Sequence, residues 1–281
     1  MGRRLIQQGT EMAVYSRMTD ALRSLGLSLS LVLGLGLSTV AQTPEERGLT
    51  IAQEADRRDQ GWEDMTVDVT MLLKNKQGGE SLRELRIRGL EIAEDGDKRL
   101  VIFDSPRDVK GTALLTFSHK AESDDQWLYL PAVKRVKRIA SDNKSGPFVG
   151  SEFSYEDMTP SEVEKYTYNY IRDDTYDGTP CFVLERFPVD ENSGYTKEVV
   201  WIDKEEYRTL RIEYYDRKAS HLKTLTKTEW KQHLGKYWRP HKSFMQNHQT
   251  GKSTLLTSSN LQFKTGLSDT DFKNSRLKSV R

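Results

Sequence analysis

Residues 65–73 read MTVDVTMLL, and the alternation in that stretch sets the fold class. Met65, Val67, Val69, Met71 and Leu73 fall on one side of an extended chain and Thr66, Asp68 and Thr70 on the other, which makes a strand with one apolar and one wetted face. Just upstream, Thr43-Pro44-Glu45-Glu46 supplies a capping residue, a proline at the first helical position and a glutamate at the third. A helix is expected from there to about Asp59, with Gly61 ending it.

Downstream the two-residue period keeps returning between turn-forming clusters. Leu85 and Ile87, then residues 100–103, 113–117 and 127–130, precede Pro160; Tyr166, Tyr168 and Tyr170, then 181–187, 199–202, 210–214, 224–230, 242–246 and 255–263, follow it. Strands succeed one another with hardly room for a helix between them, so they must meander antiparallel. The class expected is mainly β (α+β), with about eleven strands, more than a flat open sheet holds without curling. A curled sheet has a concave face to fill. Two further helices are expected, near 154–158 and over 267–277. With no repeats, low-complexity segment or linker, residues 42–281 are expected to form a single domain.

The N-terminus bears on location. From Met18 the chain reads MTDALRSLGLSLSLVLGLGLSTVAQ: a short start carrying Arg23, an apolar run over 25–37 too short and glycine-rich to span a bilayer, and Thr39-Val40-Ala41 before Gln42. That is the layout of a secretory signal peptide, so residues 1–41 are expected to be a leader, and the lack of an apolar pattern before Met18 points to Met18 as the true start. The whole chain carries a formal charge of +1, and setting aside Arg3, Arg4, Arg17, Arg23, Glu11 and Asp20 leaves the rest close to neutral. Export and neutrality both argue against nucleic acid as a partner. Cys181, the single cysteine, cannot form an internal disulfide, so packing must supply the stability.

Side chains that carry chemistry are scattered. The five histidines do not cluster; His241 and His248 are the closest late pair, and their odd separation puts them on opposite faces of one strand. No serine sits in a nucleophile elbow, no glycine-rich phosphate loop precedes a helix, and Cys181 reads as the start of a buried strand. Glu122, Asp124, Asp125, Asp95 and Asp97 read as hairpin-tip residues more readily than as calcium ligands. No catalysis, metal or cofactor is expected. What stands out is the excess of apolar side chains on one face of many strands, which needs a second layer or a ligand to cover it.

Three segments carry a family resemblance: RIRGLEIAEDGDKRLVIFDSPRDVKGTALLTF (86–117), DDQWLYLPAVKRVKRIA (124–140) and NKSGPFVGSEFSYEDM (143–158). They resemble the bacterial outer membrane lipoprotein-sorting proteins, relatives of the carriers LolA and LolB, and the resemblance runs over nearly all of the chain after the leader. It implies an unclosed antiparallel β-barrel with helices covering the concave face, and an activity of carrying acyl chains through the periplasm. The group resembled is associated with RND-type exporters, which implies free lipid as well as lipoprotein among the cargoes. Two departures stand out. Pro147 replaces a small polar residue in Gly146-Pro147-Phe148-Val149-Gly150, and no arginine matches by motif the one that gates the LolA cavity.

If the outer face of the curled sheet sees water, the alternating apolar set must face inward. Met65, Val67, Val69, Met71, Leu85 and Ile87 are then expected to line a cavity, with Trp127, Tyr129 and Phe148 near its mouth. Lys134, Arg135, Lys137 and Arg138 emerge beyond Pro131, spaced by Val136 and Ile139. They read either as a solvated hairpin or as a surface that meets anionic lipid head groups or an acidic patch on an exporter or membrane acceptor. The expectation is a monomeric periplasmic lipid or lipoprotein carrier with transient contact to anionic membranes. The alternative is a lipid-sensing regulatory module of the RseB kind.

Overall fold

The Thr43 hydroxyl accepts from the Glu46 N–H at 3.2 Å, and the Glu46 carboxylate accepts from the Thr43 N–H at 2.9 Å. This reciprocal cap opens helix α1 (Pro44–Asp59) in the computed structural model, which describes residues 42–279. The expected signal peptide lies outside the described residues. Glu45 and Glu46 in the first turn of α1 and Arg57 and Arg58 in the last complement its dipole.

Thirteen strands follow: β1 (Asp64–Lys74), β2 (Glu80–Leu90), β3 (Lys98–Ser105), β4 (Ala113–Phe117), β5 (Asp125–Leu130), β6 (Arg135–Arg138), β7 (Tyr166–Tyr176), β8 (Thr179–Pro188), β9 (Tyr195–Asp203), β10 (Thr209–Asp216), β11 (His221–His233), β12 (Tyr237–Asn247) and β13 (Ser253–Phe263). They form one antiparallel sheet in which each strand pairs with its neighbour in sequence, except that β1 pairs with β13 and β6 does not pair with β7. The expected count of about eleven is too low. The strand missed outright is β6, where only Val136 is partly buried and no alternation stands out between the basic residues.

Two hydrogen bonds show that the sheet is curled. Gln126 on β5 donates to the Tyr155 carbonyl at 2.9 Å, and the Tyr195 hydroxyl on β9 donates to Asp157 at 2.8 Å. Those strands are nine steps apart in the sheet order, about 43 Å in a flat sheet at ~4.8 Å per step, yet they meet residues two positions apart. The barrel stays open between β6 and β7. The chain leaving β6 does not pair across the gap but runs as a strap, residues 139–165, over the concave face before entering β7.

The two further helices expected are short 3-10 turns instead: Glu156–Met158 in the strap, and Asp269–Asp271 and Asn274–Ser279 at the end of the chain. The last two do not cover the concave face. They lay Phe272 and Leu277 on the outer face of β3 and β4, against Leu100, Ile102, Ala113 and Leu115. A second outer cluster holds Cys181, Val183, Val199, Trp201 and Leu210. The outer surface is thus apolar in two places, which the premise of a fully wetted outer face did not allow for.

Candidate functional site

The strap is anchored by an aromatic side chain. Phe148 is fully buried, its ring 5.6 Å from Phe103 and 5.7 Å from Tyr155, in the same cluster as Val67, Val69, Met71 and Leu85. A tight turn presents it: the Phe148 N–H donates to the Phe153 carbonyl at 2.7 Å, and Pro147 bridges to Ser154. Val149 sits at φ 46°, a left-handed conformation that a β-branched residue resists, and the Arg83 guanidinium donates to its carbonyl. Polar ties hold the far side. Lys223 on β11 donates to the Glu152 carbonyl at 3.0 Å and pairs with Asp157; Asn247 donates to the Glu152 carboxylate at 2.7 Å.

This packing corrects the expected cavity. Val67, Val69, Met71 and Leu85 do face inward, but the strap covers them, so they are core. Ile87 packs at the edge of the same cluster. Trp127 and Tyr129 point to the opposite face, under the C-terminal turns, while Leu128 takes the inward position. Of the nine residues named, Met65 alone lines the open cavity. The reason is that Phe148 and Phe153 of the strap pack directly on that part of the concave face, and the open space lies farther along it.

That open space is a cavity of about 1450 Å³ beneath α1, between the strap and strands β8–β11. Helix α1 comes close to β7 because Gly48 lacks a Cβ, which would stand 3.0 Å from the Tyr170 nitrogen. The cavity floor is a cross-strand row, in which Leu184 pairs with Val200, Val200 with Ile212, and Ile212 with Leu225; these belong to the same buried cluster, and only their edges, 1–6% exposed, reach the open space. Beside it runs a polar row, Arg186, Glu198, Tyr214 and Lys223, in the same registers, with the Arg186 Nε 2.7 Å from Glu198. On the other side of the apolar row lies Lys227, with Arg99 and Arg239 also on the cavity wall. Sequence reasoning missed these inward charges. Parity could have found them, because Arg186 stands two residues from Leu184 and Lys227 two from Leu225, on the apolar side of each strand.

Of the five carboxylates singled out in the turns, those of Asp95, Asp97, Asp124 and Asp125 serve the backbone or a neighbouring basic side chain. Asp95 meets the His119 Nδ1 at 2.6 Å, Asp124 accepts from the His119 N–H at 3.2 Å, and Asp125 pairs with Arg138. Among the described residues no three His, Cys, Asp or Glu side chains are grouped to hold a metal. His248 meets His221, not His241: the rings lie 4.4 Å apart and both reach the Thr224 hydroxyl. Lys134, Arg135, Lys137 and Arg138 are all exposed, on or beside the edge strand β6, where charge also discourages pairing with another chain. Arg138 is tied to Asp125; the other three make no ion pair among the described residues.

Two carboxyls near the strap are held far from their ordinary range. Burial, with the charge of Asp157 beside it, pushes Glu156 up to about 7, although Lys144 and the Gly194 N–H pull the other way. Burial likewise pushes Asp97 up to about 7. The folded state binds these protons more tightly than the unfolded state, so their contribution to stability is full below the ordinary carboxylate range and is lost as pH rises through about 7. Thermal denaturation between about pH 5 and 8 should show that fall, and Glu156→Gln should flatten part of it. A pH profile identical in the variant would contradict the burial of Glu156.

A domain from Vibrio parahaemolyticus assigned as an outer membrane lipoprotein-sorting protein is 57% identical to this chain, superposes with a TM-score of 0.82, and is matched over 83% of this chain and 99% of its own. The chain belongs to the outer membrane lipoprotein-sorting protein family. A family model described as "-like: Uncharacterized protein" matches residues 95–279, which span the strap and the whole of β7–β13. A DUF1329 family protein from Desulfovibrio piger is 29% identical with a TM-score of 0.80, over 84% of this chain and 100% of that one. A LolA superfamily protein from Nitrosomonas europaea shares the fold at 20% identity, with a TM-score of 0.66 over 84% of this chain and 99% of that one. No curated protein matches.

Proposed function

We propose that this chain is an exported periplasmic carrier that shelters the acyl part of a lipid or lipoprotein and does no covalent chemistry on it. The observation that carries the reading is the cavity of about 1450 Å³ floored by Leu184, Val200, Ile212 and Leu225, larger than the ~300–1,000 Å³ of ordinary small-molecule pockets. Each methylene placed against that floor contributes about 0.8 kcal/mol before ordering costs, so a long acyl chain supplies ample affinity without a covalent bond. Leu225→Trp fills the floor and should weaken binding of a fluorescent fatty acid by about tenfold or more in titration, a loss of ~1.4 kcal/mol. Unchanged binding by the folded variant would place the ligand elsewhere.

Lys134, Arg135, Lys137 and Arg138 serve delivery in this reading, docking a monomeric carrier on an RND-type exporter, a membrane acceptor or an anionic bilayer. Each basic residue near an anionic surface is worth about 1 kcal/mol, enough for a visit and screened by salt. Changing all four to glutamine should leave cargo uptake from detergent nearly unchanged and slow transfer to anionic vesicles severalfold. Transfer that ignores both the variant and the salt concentration would leave β6 as a solvated edge strand only.

A further inference from the structure

We infer that the cavity contains an anion subsite centred on Lys227, and that the cargo is an amphiphile bearing a carboxylate or phosphate next to its acyl chain. The inference rests on the carrier reading and narrows it.

Lys227 follows Leu225 by two residues on β11, so its side chain leaves the sheet on the inward face, beside the Leu225 end of the apolar row and on the opposite side of that row from Lys223. Its carbonyl accepts from the Trp230 indole at 3.2 Å, but its ammonium makes no hydrogen bond or ion pair among the described residues. Other cations line the same cavity. Arg99 on β3 donates to the Met158 carbonyl at 3.1 Å and forms no ion pair among the described residues, although the charges of Asp97 and Glu162 on the same wall act on it; Arg239 on β12 pairs with Asp59 of α1; Arg186 on β8 pairs with Glu198. Burial and the like charges of Arg186, Arg99 and Arg239 lower Lys227 to about 8, with Asp59 opposing them.

Lys227 is half-buried and its unpaired ammonium opens onto the cavity among like charges, so an anion entering there meets a cation that no carboxylate already holds, and sequence alternation does not require one at this position. An anionic oxygen between Lys227 and Arg99 would satisfy both. It would also sit beside Leu225, where the Leu184, Val200, Ile212 and Leu225 row ends, so that a chain attached to it can turn onto the floor. An acyl chain with an uncharged terminus gains nothing from that end of the cavity. A charge-assisted contact is worth roughly twice a neutral one, so selectivity for the anion should be easy to read.

Equilibrium dialysis of the purified full chain against laurate, dodecyl phosphate, dodecanol and inorganic phosphate provides the test. Laurate and dodecyl phosphate should bind at least about tenfold tighter than dodecanol, and inorganic phosphate far more weakly than dodecyl phosphate. Lys227→Met should bring the ratio of laurate to dodecanol affinity toward one, and Lys227→Arg should keep it. Arg99→Gln should lower the same ratio from the facing wall, independently of how well the Lys227 variants fold. Equal binding of laurate and dodecanol by the unaltered protein would overturn the subsite and leave the carrier reading standing. Inorganic phosphate binding as tightly as dodecyl phosphate would overturn the claim that the subsite serves an amphiphile. A preference for laurate that survives in both folded Lys227→Met and folded Arg99→Gln would overturn the assignment to Lys227 and Arg99. Failure of every acyl compound to bind would bring down the carrier reading and the subsite with it.

Discussion

Phe148→Ala should destabilise the protein by about 3–5 kcal/mol, among the largest losses any single truncation here will produce. The ring is completely buried, touches Phe103 and Tyr155, and seals the part of the concave face that the strap covers. Removing it leaves a void under Val67, Val69 and Met71, which the strands cannot close because their registers are fixed by β2 and β13. Denaturant unfolding followed by tryptophan fluorescence measures the loss. A change below about 1 kcal/mol would mean that the strap does not pack as described. Val69→Asp is a weaker probe of the cavity than its place in the alternation implies. Val69 lies beneath the strap, so the substitution buries a charge in core and reports on folding.

Asp157→Ala is expected to cost a similar amount for a different reason. The Lys223 ammonium and the Asp157 carboxylate are each 4% exposed, and Asp157 also accepts from the Tyr195 hydroxyl at 2.8 Å and the Ser154 N–H at 2.7 Å. Losing the carboxylate strands a buried cation, which typically costs about 3–5 kcal/mol, whereas replacing both partners by apolar groups is far less damaging. Asp157→Ala with Lys223→Met should therefore be more stable than Asp157→Ala alone. Additive losses in that cycle would contradict a direct buried pair.

The strand pattern was legible because alternation reports directly on a sheet with one buried face. Met65 to Leu73, residues 113–117 and the Thr43 cap lie where the pattern put them. The edge strand β6 was not legible, because an edge needs no apolar face and is better served by charge. The strap was illegible for another reason. Gly146 to Gly150 reads as a surface loop, and only the curl of the sheet shows that this loop has an interior to enter. That single fact moved Val67, Val69, Met71 and Leu85 from cavity wall to core. Trp127 and Tyr129 share a face, as their spacing requires, but strand parity alone does not say which face is inside, and the C-terminal turns cover theirs from without. The cavity was hidden because its polar half looks like wetted strand surface in the sequence. Arg186, Glu198, Lys223 and Lys227 are inward only in the light of Leu184 and Leu225 beside them.

In the function proposed, the space that the strap leaves open beneath α1 holds an acyl chain. Native mass spectrometry of the protein extracted without detergent from the cells that make it, with the bound mass identified after extraction, reads that occupancy. One amphiphile per chain, carrying an anionic group, is expected, and Leu225→Trp prepared in the same way should lack it. Protein that emerges free of lipid and acylated peptide under every gentle condition, or that carries the same mass in Leu225→Trp, would contradict that function.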